Sequence, residues 1–170
     1  MNKRCSLRLL GALTALALPC SAAELPKVSV LPLEQARTAA SAALIKCQGE
    51  GYKVSVAVVD QSGVTRILLR GDGAAPQTVD SSVRKAYTAN ALRDSTQKFA
   101  ELIVKNPESQ GLRDINASML ILGGGVPIRF GEEIVGGIGV GGAPGGKLDE
   151  NCARAGLESI GAQPYPAQQP

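Results

Sequence analysis

Residues 118–146, SMLILGGGVPIRFGEEIVGGIGVGGAPGG, decide the fold of this chain. The pattern predicts a short strand, a glycine turn and then a hairpin formed by Val126–Phe130 and Glu133–Val140. Gly131 and Glu132 separate the two apolar runs, and a glycine at that point allows the positive φ that a two-residue hairpin turn needs. We therefore expect three adjacent strands in this stretch.

The predicted strands contain an unusual number of glycines, at residues 123–125, 136–137, 139 and 141–142. A strand glycine costs backbone entropy and offers no side chain to pack. It therefore usually marks a bulge, a bend, or the close approach of another backbone or a flat ligand. The pattern fits both the curvature of a small twisted sheet and a docking surface.

Three of these glycines, Gly137, Gly139 and Gly142, satisfy the G-x-G-x-x-G spacing of dinucleotide-binding folds. That motif requires a turn between a first strand and a helix, with a second strand and an acidic residue further along. Here the first two glycines fall inside a predicted strand, Ala143 and Pro144 follow the third, and the remaining sequence holds one predicted helix. A Rossmann fold is therefore not expected.

The N-terminal residues 1–23 have the pattern of an export signal. A basic start is followed by the apolar run Leu9–Leu18, which is too short for a stable membrane span, and then by small residues up to Ala23. Cys20 raises the alternative of a lipoprotein anchor, but Pro19 before it fits such a site poorly. We predict cleavage after Ala23 and a soluble periplasmic or secreted protein.

Charge and composition exclude several kinds of site. The sequence has 18 basic and 15 acidic residues, and residues 1–23 contain three of the basic and none of the acidic ones. The rest is balanced, so its charge does not indicate nucleic-acid binding. The sequence has no histidine, which excludes Ser-His-Asp and Cys-His sites and histidine ligation of zinc or haem iron. No Asp or Glu pair stands out as an acid–base pair, so a non-enzymatic role is favoured.

Two cysteines, Cys47 and Cys152, remain after the predicted signal. In an oxidising compartment they suggest one disulfide. Both also fall on the apolar faces of predicted helices, so two separate buried cysteines are the alternative. If those two helices pack side by side, the sulfurs come within bonding distance.

The first half of the remaining sequence predicts a helix and a second hairpin. The helix begins at Pro32 and carries mostly alanine on its apolar face, which suits close packing on a sheet. The hairpin consists of Lys53–Asp60 and Val64–Arg70, with Gly63 in the left-handed region. Asp60 at the corner is expected to bond the following backbone amides, and a catalytic role is the alternative.

Three further helices complete the predicted order. The first is capped by Thr78 or Asp80, the second begins with a capping-box pattern at residues 94–97, and the last covers Asp149–Ile160. The order α-β-β-α-α-β-β-β-α predicts an α+β fold of the profilin-like kind, an antiparallel five-stranded sheet flanked by helices.

We expect residues 24–162 to form a single domain. The following residues, 163–170, are rich in proline and glutamine and are predicted to be disordered.

The helix after residue 78 carries the candidate binding residues. Arg84, Lys85, Tyr87 and Thr88 follow one another on it, beside the glycine-rich strands. Such a helix could grip an anionic planar ligand, whereas a solvated helix face would have the same composition.

The chain from Leu33 to Ile160 resembles the GlcG/HbpS family of haem-binding proteins and, more distantly, the C-terminal domain of PduO-type corrinoid adenosyltransferases. The matching segments are VSVAVVDQSG at 54–63, RKAYTA at 84–89, GGGVPIRFGEEIVGGIGVGG at 123–142 and the acidic pair DE at 149–150. The resemblance implies a profilin-like fold, homo-oligomers and, from studied members, binding of haem or a related tetrapyrrole. Exported HbpS-like members can act as redox-linked accessory proteins to a sensor kinase.

Two positions depart from the family pattern. Close exported relatives often have a histidine where Gln77 stands, and the usual G-V-S-G exit is GVGG at residues 139–142. Without that histidine, Tyr87, Thr88 or Lys85 would have to ligate iron, or apolar contact and arginine–propionate pairing would hold the haem. The resulting cofactor-binding set is Arg84, Lys85, Tyr87, Thr88, Gly124 and Gly125.

Three functions follow from these observations. The leading one is an exported tetrapyrrole-binding protein, non-enzymatic, that serves storage, delivery or sensing. The second is a ligand-free homo-oligomeric module that contacts a partner such as a sensor or transport protein. The third is a weak enzyme on a small metabolite. Free space beside the glycine-rich hairpin would support the first function, and a surface already filled by the protein would remove that support.

Overall fold

The computed structural model describes residues 24–163. The predicted signal peptide, and the predicted tail apart from Gln163, lie outside the described residues. The elements in chain order are α1 (Leu33–Gly49), β1 (Ser55–Asp60), β2 (Thr65–Arg70), α2 (Gln77–Leu92), α3 (Thr96–Lys105), a 3₁₀ helix (Pro107–Arg113), β3 (Gly125–Phe130), β4 (Glu133–Gly141) and α4 (Gly146–Ser159). Residues 114–124, between the 3₁₀ helix and β3, are named the connecting segment. Within residues 24–163, no helix has both the length and the apolar character needed to cross a membrane.

The four strands form one antiparallel sheet in the order β2-β1-β4-β3. The α+β class and the antiparallel sheet are confirmed, whereas the prediction of five strands is wrong. The fifth strand was expected at residues 118–122, but the side chains of Arg84, Thr88 and Thr96 bond to the backbone there at 2.6, 2.8 and 2.8 Å. These peptide groups therefore have side-chain partners instead of a neighbouring strand. The profilin-like character of the fold stays a prediction.

Both hairpin turns form as the local sequence predicts. Gly131 has φ of 57° and Gly63 has φ of 80°, the left-handed region that glycine enters without a Cβ clash. The Asp60 carboxylate accepts hydrogen bonds from the amides of Ser62 and Val64 at 2.9 and 3.0 Å. Asp60 therefore shapes the turn, as expected.

Helices α1 and α4 cover one face of the sheet and form the main core with it. Alanines from α1 allow a close approach: a Cβ added at Gly156 of α4 would lie 2.5 Å from the carbonyl oxygen of Ala39. The buried side chains of this core include Ala36, Ala40, Ala43, Val56, Val58, Ile128, Ile138, Val140 and Leu157.

A disulfide joins these two helices and confirms the predicted pairing. Cys47 of α1 and Cys152 of α4 have sulfurs 2.14 Å apart and Cα atoms 5.5 Å apart. Both residues are fully buried. In the chain-entropy account, a cross-link over a loop of this length stabilises the fold by about 4–5 kcal/mol.

Candidate functional site

Helix α2 lies directly on the glycine-rich face of the sheet, opposite α1 and α4. A Cβ added at Gly139 would be 2.2 Å from the carbonyl oxygen of Ser82, and one at Gly137 would be 2.3 Å from that of Ala86. Real side chains do not approach backbone so closely, so only glycine fits at these positions. The glycines therefore allow another backbone to approach, one of the causes that the sequence left open.

Gly124 and Gly125, two of the expected haem-binding residues, are buried under the same helix. A Cβ at Gly125 would lie 2.3 Å from the carbonyl oxygen of Lys85, and one at Gly124 would lie 2.6 Å from Cβ of Asp149. The structure corrects the expectation of an open glycine surface, because α2 and Asp149 fill the space where a flat ligand was expected.

Lys85 points into the protein. Its Nζ lies 2.8 Å from Oδ2 of Asp149 and donates to the carbonyl oxygen of Val140 at 3.0 Å. The other carboxylate oxygen of Asp149 accepts from the amide of Ala143 at 2.9 Å. Burial raises the pKa of Asp149 above its ordinary value, and this effect outweighs the opposing charge of Lys85. Lys85 thus links α2 to β4 and α4.

The next residue on α4, Glu150, performs a similar task for α3. Its carboxylate accepts a hydrogen bond from Ser95 Oγ at 2.8 Å and one from Arg154 Nε at 3.0 Å. Ser95 is also the N-cap of α3. Sequence reasoning treated Asp149 and Glu150 only as a family motif and helix-start residues and missed this anchoring. The available signal was the pair of adjacent acidic residues in the first half of the last helix.

Thr88 and Arg84 hold the connecting segment against α2. Thr88 is fully buried, and its Oγ1 donates to the carbonyl oxygen of Arg84 and accepts from the amide of Leu120 at 2.8 Å. Nη2 of Arg84 donates to the carbonyl oxygen of Met119 at 2.6 Å. Both residues were expected to face a ligand, and in this structure both bind the chain's own backbone.

Arg84 nevertheless keeps part of its side chain at the surface, with 33% exposed. Its Nη1 is 3.5 Å from a carboxylate oxygen of Asp80, a long and solvent-exposed pairing. Its Nε is buried and has no hydrogen-bond partner among the described residues. The guanidinium is therefore only partly satisfied.

Tyr87 is half-buried against the β1–β2 turn. A Cβ added at Gly63 would be 2.7 Å from Cε2 of the Tyr87 ring. One turn along the helix, Asn90 donates to the carbonyl oxygen of Gln61 at 3.1 Å and fixes the same turn. Of the four predicted residues on α2, only Arg84 and Tyr87 keep exposed surface.

Two surface grooves lie away from this set. One, of about 270 Å³, is lined by Gln97, Ala100, Glu101, Val104 and Lys105. The other, of about 240 Å³, is lined by Ser29, Val30, Leu31, Pro32, Gln35, Phe130, Glu133 and Val135. Both are smaller than the roughly 300–1,000 Å³ that small-molecule pockets usually have. Residues 24–163 contain no group of three or more Cys, Asp or Glu side chains that could hold a metal ion.

Comparison with known protein families shows to which family the chain belongs. The family model described as "Haem degrading protein HbpS-like" matches residues 31–158. This match covers most of the chain, including all of α1 to β4 and nearly all of α4. The chain belongs to the HbpS-like family.

Individual relatives agree with this assignment. A double mutant of HbpS from Streptomyces reticuli is 43% identical, with a TM-score of 0.75 over 85% of this chain and 97% of that one. An uncharacterised 15.0 kDa protein of the dhaT–dhaS intergenic region of Citrobacter freundii is 30% identical over 117 residues, 68% of this chain and 82% of that protein. The crystal structure of a PduOC:heme complex is 21% identical, with a TM-score of 0.74 over 81% of this chain and 100% of that one, and shares the fold.

Proposed function

We propose that this member of the HbpS-like family binds haem or a related tetrapyrrole and serves its storage, delivery or sensing without acting as an enzyme. The observation that carries the proposal is the family match over residues 31–158, whose description concerns haem. The 43% identity to HbpS over nearly the whole domain supports it. A chain of the same fold, PduOC, forms a complex with haem.

The exposed side of α2 fits the polar edge of such a ligand. Arg84 and Tyr87 are three residues apart on one helix, so their side chains are neighbours on its surface. A guanidinium pairs well with a propionate, and Arg84 has a buried donor without a partner. A tyrosine can hold haem iron, and the sequence has no histidine to do so. In this arrangement Lys85 and Thr88 fix the helix, Arg84 and Tyr87 would bind and orient the ligand, and a bound haem would supply a redox-active iron.

The same proposal includes export and self-association. The pattern of residues 1–23 and the Cys47–Cys152 disulfide both suit an oxidising compartment outside the cytoplasm. The two grooves described above, both within residues 24–163, are small for a tetrapyrrole. A homo-oligomer in which a second copy covers the ligand would supply the missing contact area, and a sensor or transport protein would be the next partner.

Titration of the protein lacking residues 1–23 with haemin tests the proposal. We expect a saturable shift of the Soret band, and no saturable shift would sink the proposal. Arg84→Gln should weaken binding about tenfold because a charge-assisted hydrogen bond is lost, and Tyr87→Phe should change the spectrum. Arg93→Gln removes an exposed arginine at the end of the same helix and is the matched control. It should leave both the haemin affinity and the spectrum unchanged.

The time course of the bound spectrum separates binding from degradation. A Soret band that persists in the presence of a reductant supports storage or delivery. A band that decays as haem is consumed would show the activity named in the family description and would contradict the non-enzymatic part of the proposal.

A ligand-free interaction module is the second candidate, and one observation favours it: α2 already fills the glycine face. In that case haemin would cause no saturable shift. Light scattering would still show a stable oligomer whose mass does not depend on any added ligand.

A further inference from the structure

We propose that Arg84 forms a carboxylate-binding site that the connecting segment covers in this structure, and that an anionic ligand opens the site by taking Arg84 from the carbonyl oxygen of Met119. The inference deepens the proposed function and rests on it, because the carboxylate is assigned to a propionate of the tetrapyrrole. It names the contact that must break for that ligand to bind.

The hydrogen bonding of Arg84 is incomplete in the closed arrangement. Its Nη2 donates to a neutral carbonyl, that of Met119, at 2.6 Å. Its Nη1 reaches Asp80 only at 3.5 Å, and 71% of the Asp80 side chain is exposed. Its Nε is buried and has no acceptor among the described residues. A buried donor without an acceptor destabilises the fold, so this guanidinium is held in a state that another acceptor would improve.

A carboxylate matches the two donors concerned. Nε and one terminal nitrogen of a guanidinium form two parallel N–H···O bonds with the two oxygens of a carboxylate. At Arg84, such a pair would satisfy Nε and would replace the neutral Met119 carbonyl on Nη2 with a charged acceptor. Nη1 lies on the side of Asp80 and would keep that contact. Because Nη2 already donates to Met119, a carboxylate can take Nε and Nη2 together only when that contact breaks.

The connecting segment is held in a way that allows this contact to break. Among residues 114–122, Met119 and Ile121 are the buried side chains, while Ile115 is 62% and Leu122 is 50% exposed. A stretch with so few buried contacts opens at a low free energy. Among the described residues, four side chains from outside the segment bond to its backbone: Arg84 to Met119, Thr88 to Leu120, Arg113 to Ile121 and Thr96 to Leu122.

One end of the segment has a firm anchor. Thr96 is fully buried and bonds both the carbonyl oxygen of Leu122 and the amide of Gly125 at 2.8 Å. Loss of the Arg84 and Thr88 bonds would therefore free residues 119–120 while the start of β3 stays in place. The half-buried Leu120 and the exposed Leu122 would then lie beside the ligand and could contact its apolar ring.

The inference can be tested by hydrogen exchange on the protein lacking residues 1–23. Mass spectrometry then measures exchange in peptides spanning residues 114–124. Haemin should accelerate exchange in these peptides, because the Leu120 amide loses its bond to Thr88 when the segment opens. Haemin dimethyl ester has the same ring but no free carboxylates, so it should not accelerate exchange in these peptides. In the Arg84→Gln variant, these peptides should exchange about tenfold faster even without ligand. Addition of haemin should not accelerate their exchange further.

Two further variants separate the role of Arg84 from a general loss of stability. Arg84→Lys keeps the charge but cannot form the paired bonds, so it should behave like Arg84→Gln. Arg93→Gln should behave like the unaltered protein. Haemin binding with unchanged or slower exchange over residues 114–124 would overturn the inference and leave the proposed function standing.

A missing Soret shift would overturn the proposed function, and sodium propionate then decides the inference by itself. Faster exchange of the segment with propionate in the unaltered protein, but not in Arg84→Gln, would support a carboxylate site. No response to either haemin or propionate would overturn it.

Discussion

The ion pair between Lys85 and Asp149 is almost fully removed from water, with side-chain exposures of 2% and 4%. Burial of two charges has a large desolvation cost, which their mutual attraction and further hydrogen bonds must offset. Gly124 makes room for the pair, since a Cβ there would lie 3.1 Å from Nζ of Lys85. The raised pKa of Asp149 indicates that its ionised form is less favourable in the fold than in the unfolded chain, even beside Lys85.

This shift predicts how the stability depends on pH. Because the folded-state pKa of Asp149 lies above the unfolded value of about 3.9, its contribution to stability is fully present below the unfolded value and is lost as pH rises through the folded value. We expect the difference in the free energy of unfolding between the unaltered protein and Asp149→Asn to favour the unaltered protein more at low pH than at neutral pH. Urea unfolding at several pH values between about 4 and 8 measures this difference.

The substitution Asp149→Asn removes the titrating proton and nothing else that ionises, so it serves as the reference at every pH. A difference that grows in favour of the unaltered protein as pH rises would contradict the assignment. It would mean that the attraction of Lys85, rather than burial, dominates the environment of this carboxylate.

At the scale of elements, the contact between α2 and β4 is made by backbone on both sides. A Cβ at Gly139 would meet the carbonyl oxygen of Ser82 at 2.2 Å and the amide nitrogen of Ala86 at 2.5 Å. Backbone atoms of a helix cannot move aside individually, so the whole helix would have to shift away from the sheet.

We therefore predict that Gly139→Ala lowers the free energy of unfolding by about 1–3 kcal/mol or more, as overpacking does. It should also accelerate hydrogen exchange along α2. Urea unfolding and exchange of peptides from residues 77–92 measure the two effects. Gly49→Ala is the matched control: no atom lies within 4 Å of the added Cβ, and alanine is the better helix former. Equal stability of the two variants would contradict the close packing of α2.

The elements differ in how far local sequence could predict them. The turns at Gly63 and Gly131 were predicted because their signals lie within a few residues. The strand expected at residues 118–122 failed because its hydrogen-bond partners, Arg84, Thr88 and Thr96, are distant in sequence. The strand glycines showed that something lies close, but a residue without a side chain gives no information on what its neighbour is.

Prediction of the candidate site was limited for the same reason, because it also depends on contacts between residues that are distant in sequence. The position of a lysine on a helix does not show whether its side chain will turn inward to pair with a carboxylate 64 residues later, as Lys85 does with Asp149. The sequence predicted that this helix lies beside the glycine-rich strands, and the close approach of α2 to Gly137 and Gly139 agrees with that prediction. The division of the polar residues of α2 into Arg84 and Tyr87 at the surface, and Lys85 and Thr88 inside, needed the tertiary contacts.

At the scale of the whole molecule, two helices lie on one face of the sheet and α2 lies on the other, and the disulfide binds only the first pair. Replacement of Cys47 and Cys152 by alanine together should lower the free energy of unfolding by about 2–5 kcal/mol. Urea unfolding of the double variant measures this loss, and stability equal to that of the unaltered protein would contradict it.

Thiol counting checks the same bond directly. Because both cysteines are fully buried, a mild reductant without denaturant should leave the bond intact. The unfolded, unreduced protein lacking residues 1–23 should show no free thiol. Detection of two would mean that the cysteines are separate.

The position of that bond also determines what a protease can do to this protein. The two sulfurs close a ring of chain with a sequence separation of 105 residues, and the exposed residues 114–118 lie inside it. A single cut there produces two fragments that remain covalently attached and run as one band on a non-reducing gel. Nicked molecules would therefore become visible only after reduction, and each would keep both fragments until the disulfide is reduced.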